Sequence, residues 1–327
     1  MIDNEPGFTP GTLVEKNFSF LAASGPSVED LGHHAGYYSL PHTKAASKDD
    51  PIVIWLTGGP GCSSAIAMFY ENGPFKLANN TSLVWNDYGW DKASNILFID
   101  QPTGTGFSYS SDIDDIRHNE TGVSNDLYDF LQGFAIGNGL TNPGIQYPAF
   151  TDYAVDKGLI TKEDQNRINM LIPDCEQATK SCQTNGEDSC LQAYKACLTI
   201  FEDILSITGN INYYDVRKQC EGSLCYDFSN AVSFLNDETV KAALGVKNLK
   251  FVSCSETVYS AMLNDWMKNL EVDIPTLLED GIKMLVYAGE EDLICNWLGN
   301  SSFSFRKLII GMHIINFKMY SDELGWK

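Results

Sequence analysis

The sequence predicts an α/β fold, a mostly parallel sheet with flanking helices, interrupted by a helical, cysteine-bearing insertion. Three observations carry this reading. Apolar runs rich in β-branched and aromatic residues, at 52–56, 94–100 and 282–288, end in turns marked by glycine, proline or acid, as buried strands do. Between them, 122–132, 163–172, 191–207 and 237–244 carry apolar residues at helical spacing. At 327 residues and 43% hydrophobic, the chain is long enough to bury a large core.

In chain order, residues 1–24 are mixed and polar and read as a flexible lead-in. The aromatic spacing at 28–40 predicts an edge strand, followed by a polar loop at 42–50; His33, His34 and His42 read as surface or loop residues. Ile52, Val53, Ile54, Trp55 and Leu56 then form a strand that breaks at Gly58-Gly59-Pro60-Gly61. Glycines there allow a sharp turn and leave backbone N–H groups uncovered, where they can stabilise negative charge on a substrate oxygen. Ser94 to Asp100 is a second buried strand, Gly104 to Ser110 a loop, and 122–132 a helix. Gly133 to Gly139 follows that helix directly as a strand. Beyond it come the helices of 163–172, 191–207 and 237–244, then a buried strand at 282–288 that delivers Gly289-Glu290-Glu291-Asp292.

With 22 basic and 43 acidic residues the formal charge is -21, which repels phosphate backbones and excludes nucleic acid as a main partner. No apolar run is long enough to span a bilayer, and MIDNEPGFTP has neither the basic start nor the apolar core of a signal peptide. Nine cysteines point to an oxidising compartment. Cys175, Cys182, Cys190 and Cys197 lack the close pairing of zinc ligands, and no histidine lies between Asp174 and Tyr226, so disulfides fit better than a metal. Sequons at Asn17, Asn79, Asn80, Asn119 and Asn300 also suit a secreted chain.

The turn WLTGGPGCSS (55–64) with YENGP (70–74) resembles the signature of the plant-type serine carboxypeptidases. The likeness continues through NILFIDQPTGTGFSYS (95–110), Gly137-Asn138-Gly139, YYDVRKQCEGSLCY (213–226) and YAGEEDLICNWLGN (287–300), and covers nearly all of 25–300. It implies an α/β-hydrolase-like core made of 25–139 and 231–300, a helical cap over 140–230, and an unrelated tail at 301–327. The implied reaction is release of C-terminal residues from peptides by a Ser-Asp-His triad, with no cofactor and no metal. Its partners would be peptide or protein C-termini, its compartment the secretory route (vacuolar or extracellular), and its oligomer a homodimer.

By this resemblance Asp292 holds the triad acid's position and the backbone N–H of Gly59 one oxyanion donor. Thr57, Gly58, Tyr70, Glu71 and Cys295 match substrate-binding positions, Thr57 standing where the family often has Asn. The implied disulfides are Cys62 to Cys254, Cys175 to Cys197, Cys182 to Cys190 and Cys220 to Cys225, which leaves Cys295 free.

Two departures matter more. The family's aromatic-rich strand is lost between Ala45 and Lys48, and at the step from Gln132 to Gly133 the strand and Gly-Glu-Ser-Tyr-Ala-Gly turn that present the nucleophile are absent. Ser63 and Ser108 lie in segments that match parts of the family other than the nucleophile turn, and they read as turn or N-cap residues, the role serine usually plays. The base belongs to a Gly-His-Met motif, whereas His313 sits in Gly-Met-His and reads as a packed or exposed bystander. The sheet is therefore expected to be incomplete, with unpaired backbone and an apolar gap where a strand is missing. The expected chain is a catalytically impaired member; a non-catalytic remnant or splice product with weak peptide binding, and an acyltransferase-type relative, are the alternatives.

Overall fold

The structure, a computed structural model, describes residues 52–78, 82–92, 94–110, 112–125, 133–222, 224–279, 282–307 and 313–317. The expectations for 1–24 and 28–40, for His33, His34 and His42, for the junction at 45–48 and for Asn17, Asn79 and Asn80 lie outside the described residues.

The chain begins with β1 (Ile52–Trp55), α1 (Ser64–Tyr70), β2 (Phe75–Leu77), β3 (Leu83–Trp85), β4 (Asn95–Phe98) and α2 (Glu120–Asn125). After β5 (Gly133–Gly137) come α3 (Pro143–Gln146), α4 (Ala149–Asp156), α5 (Lys162–Ile168), α6 (Ile172–Asn185) and α7 (Glu187–Thr208). Next are β6 (Ile211–Asn212), β7 (Asp215–Gln219), α8 (Ser229–Leu235), α9 (Glu238–Leu244), α10 (Glu256–Met262) and α11 (Ile274–Glu279). β8 (Lys283–Gly289), α12 (Trp297–Lys307) and β9 (His313–Phe317) complete the order. Two compact units result: Met1–Arg117, Thr121–Asp129 and Phe228–Ser260 form one, and His118–Glu120, Phe130–Asp227 and Ala261–Lys327 the other.

In the first unit β1 and β4 pair in parallel, Ile52 opposite Asn95 through Trp55 opposite Phe98. The core packs Phe69 of α1 with Ala231 and Leu235 of α8, Val240 of α9 and Phe251. α1 starts at Ser63, whose extended backbone and hydroxyl cap the N–H of Ala65. The helix stops at Asn72-Gly73-Pro74, where the N–H groups of Glu71, Asn72 and Gly73 all reach the carbonyl of Ala67. Beside α1 the Cys62–Cys254 disulfide ties the glycine turn to the chain 192 residues on, flanked by Ser63 N–H to Ser253 O and Ser255 N–H to Gly61 O.

These strands correct one expectation. β1 and β4 read as fully buried, yet Ile52 and Leu97 are exposed and no residue of either strand is completely buried. A parallel strand is buried when neighbours cover both faces. Among the described residues β1 and β4 have only each other as sheet partners.

In the second unit β5, β8 and β9 form a parallel sheet in that order. Met284, Val286 and Ala288 of β8 are buried in alternation, the signature of one inward face. Most of this unit's core, however, is helical. α5 opens with a capping box between Thr161 and Asp164, and α7 runs between Gly186 and Gly209, both in conformations that favour glycine. Disulfides Cys175–Cys197 and Cys182–Cys190 staple α6 to α7, and Phe150, Tyr153, Ile168, Ile200 and Ile204 pack around them. The helices expected at 163–172, 191–207 and 237–244 appear as α5 with the start of α6, as α7, and as α9 capped by Asp237. Within 122–132, α2 accounts for the described part. No helix among the described residues is long and apolar enough to cross a membrane.

Candidate active site

The candidate residues fall on both units. In the first, Asp100 at the end of β4 organises the glycine turn. Its Oδ1 accepts from the Ser63 hydroxyl (2.6 Å) and the Ser64 N–H (3.0 Å), and its Oδ2 from the Phe107 N–H (2.9 Å). Ser64 donates its hydroxyl to Ile99 O (2.6 Å) and accepts the Thr57 N–H (3.0 Å), so Thr57 is fixed through a buried serine. Ser108 donates to Asp100 O at 2.7 Å. Ser63 thus caps α1 while donating to Asp100, and Ser108 ties its loop to the end of β4. Asp100 and Ser64 were inside the quoted motifs, but a partnered acid has no sequence signal that separates it from a free one.

Gly58 and Gly59 are exposed, and among the described residues no protein acceptor takes their N–H groups. A Cβ on Gly59 would lie 2.9 Å from Cys62 N and Sγ, whereas one on Gly58 would meet nothing within 4 Å. The turn therefore needs glycine at 59 for close packing and presents an open face at 58. Tyr70 and Glu71 lie at the other end of α1, about 10 Å along the helix. Tyr70 packs edge-on against Phe228 at 5.2 Å. Solvent reaches Glu71, but the protein crowding its carboxyl pushes the pKa up to about 7.

In the second unit Asp292 follows β8 and is 5% exposed. Its Oδ2 accepts from Asn138 Nδ2 (2.6 Å) and its Oδ1 from the Cys295 N–H (2.9 Å). Burial pushes its pKa up to about 7 against the pull of these donors. Asn138, between two glycines, has φ of 48°, a left-handed conformation Asn tolerates, and its N–H extends the β5–β8 pairing to Tyr287 O. That pattern was visible as Gly137-Asn138-Gly139, although its partner was not.

The rings of Tyr213 and Tyr214 meet at a tilt with centroids 4.6 Å apart, and the phenol of Tyr214 is pushed up by burial and by nearby Tyr213, Cys295 and Asp292. Cys295 is the free cysteine; burial, then the charge of Asp292, raises its thiol well above the usual range, so it is not a thiolate nucleophile near neutrality. The four disulfides are those the resemblance implied. His313 opens β9, opposite Leu285 of β8. Among the described residues no group of three or more His, Cys, Asp or Glu could hold a metal ion. A hollow of about 620 Å³ beside Tyr109, Val246 and Lys247 contains none of the candidate residues.

The family model described as serine carboxypeptidase matches residues 14–134 and 131–315. Serine carboxypeptidase 3 of Oryza sativa subsp. japonica is 55% identical over 385 residues, covering 98% of this chain and 77% of its own length. Serine carboxypeptidase-like 48 of Arabidopsis thaliana is 52% identical over 399 residues, covering 99% and 78%. Both alignments are longer than the 327 residues of the chain, so gaps fall inside it. Among solved structures, Kex1(delta)p, a prohormone-processing carboxypeptidase from Saccharomyces cerevisiae, superposes with a TM-score of 0.69 at 24% identity, over 86% of this chain and 74% of that one.

Proposed function

The chain belongs to the serine carboxypeptidase family and has its α/β-hydrolase fold, and from that premise we propose that it retains the family's glycine turn and orienting acid without the serine that performs acyl transfer. One observation carries this reading. The family model matches in two pieces that meet at 131–134, where Gln132 passes directly into the strand of Gly133 and where the resemblance lacks its nucleophile turn.

The chemistry agrees. Hydrolysis in this fold requires serine on a strand-to-helix elbow, with a histidine to take its proton and an acid to orient the histidine. Ser63 caps α1 and donates to the Asp100 carboxylate, Ser108 donates to the Asp100 carbonyl, and Cys295 stays a thiol. Asp292 accepts from Asn138 and from the Cys295 amide, and among the described residues no imidazole is a partner to it. The only histidine downstream in these 327 residues is His313. An acyltransferase-type relative uses the same triad and meets the same objection.

What remains is weak binding of peptide C-termini, supported by the open N–H groups of Gly58 and Gly59. The four disulfides and the family support a secretory route.

A fluorophosphonate probe tests the proposal, because it reacts rapidly only with an activated serine. We expect no stoichiometric label on this chain beside full labelling of a complete relative. Stoichiometric label mapped to Ser63, Ser108 or another serine would overturn it.

A further inference from the structure

We propose that Asn119 accepts an N-linked oligosaccharide and that Asn300, the other sequon asparagine among the described residues, does not. Asn119-Glu120-Thr121 and Asn300-Ser301-Ser302 both satisfy the acceptor triplet, so sequence alone treats them as equals. The structure separates them.

Asn119 is exposed and lies in irregular chain between the short turn Ile113–Asp115 and α2. Thr121, the hydroxyl residue of the triplet, is exposed as well. The intervening Glu120 is held from behind, its N–H donating to Asp265 Oδ2 at 2.6 Å, while Asp265 is itself paired with Lys268. Glu120 is thus anchored through its backbone while the residues on either side of it are exposed, and a bulky, hydrated sugar on Asn119 displaces no core residue.

Asn300 is the opposite case. It sits in α12 at 2% exposure, and its Nδ2 donates to the carbonyls of Cys295 (2.9 Å) and Asn296 (3.1 Å). Substituting that nitrogen would remove a donated hydrogen and force a polar sugar into packed protein. The sequon at Asn300, which supported secretion on sequence grounds, does not serve that argument in the folded chain.

The reaction is glycosyl transfer from a lipid-linked pyrophosphate oligosaccharide. The Asn119 amide nitrogen forms a bond to C1 of the first sugar, and the C1–O bond to pyrophosphate breaks. The lipid pyrophosphate leaves with the electron pair, and the amide proton passes to the transferase. This inference rests on the secretory reading above, so the test supplies the route. The full chain is directed into the secretory lumen of a eukaryotic host by an appended leader, and the folded, disulfide-bonded product is collected.

Enzymatic deglycosylation in heavy-oxygen water then converts each modified Asn to isotope-labelled Asp, read by peptide mass mapping. The expected result is label at Asn119 in most molecules and none at Asn300, with Asn119→Gln losing one glycan's mass and Asn300→Gln losing none. An unlabelled Asn119, or label at Asn300 in the folded product, overturns the inference. Because the leader is supplied, failure at Asn119 is distinct from failure of the chain to enter the secretory route on its own.

Discussion

Asp292 is held by one amide side chain and one backbone N–H in a nearly dry setting, and that has a measurable consequence. Its pKa rises from 3.8 to about 7, so the folded protein binds this proton more tightly than the unfolded chain. The sign follows: the stabilising contribution is complete below about pH 4 and is lost as the pH rises to about 7. A rise of this size corresponds to an upper bound of about 4 kcal/mol. Asp292→Asn should flatten the fall in stability between pH 4 and 7, measured as urea midpoints across that range; an unchanged slope would mean that another group dominates. Glu71 pulls in the same direction, but its solvent access makes it the smaller contributor. Asn138 suits either form of the acid, since its amide can donate to the carboxylate or turn to accept from the protonated carboxyl.

At the level of elements, the C-terminus of α1 is a joint with no room for a side chain. A Cβ on Gly73 would lie 2.1 Å from Met68 O and 2.5 Å from its Cα, both backbone atoms that cannot swing aside. Gly73→Ala should therefore cost at least about 2 kcal/mol, by comparison with overpacked cores, and urea denaturation at constant pH reads it directly. Glycine at 73 was legible as part of a turn motif, and so were the cap at Ser63, the helices α7 and α9, and the strand β8, because each leaves a local mark in composition or spacing. The partial exposure of β1 and β4 was not legible. An apolar run records what a strand can bury, whereas its burial depends on neighbours elsewhere in the chain. Nor were the carboxylate of Asp100 and the partner of Asn138, which depend on residues 37 and 154 positions away, or the burial of Asn300 in α12, which packs on α3. The disulfides came from resemblance, not from spacing, which leaves several pairings open.

For the whole molecule, a charge of -21 favours solubility and opposes compaction, so covalent ties matter more than in a neutral chain of this length. Three of the four disulfides close loops of 22 residues or fewer, whereas Cys62–Cys254 spans 192. By chain-entropy reasoning a loop of that size constrains the unfolded state by about 5 kcal/mol, against about 2 to 3 for the Cys182–Cys190 loop. That bond also makes the polypeptide a closed ring with two free arms. A single protease cut anywhere between Ser63 and Ser253 opens the ring without releasing either piece: limited digestion there should leave one band of undiminished mass on a non-reducing gel and two bands only after reduction. A nicked molecule would thus pass for an intact one until a reductant reached it.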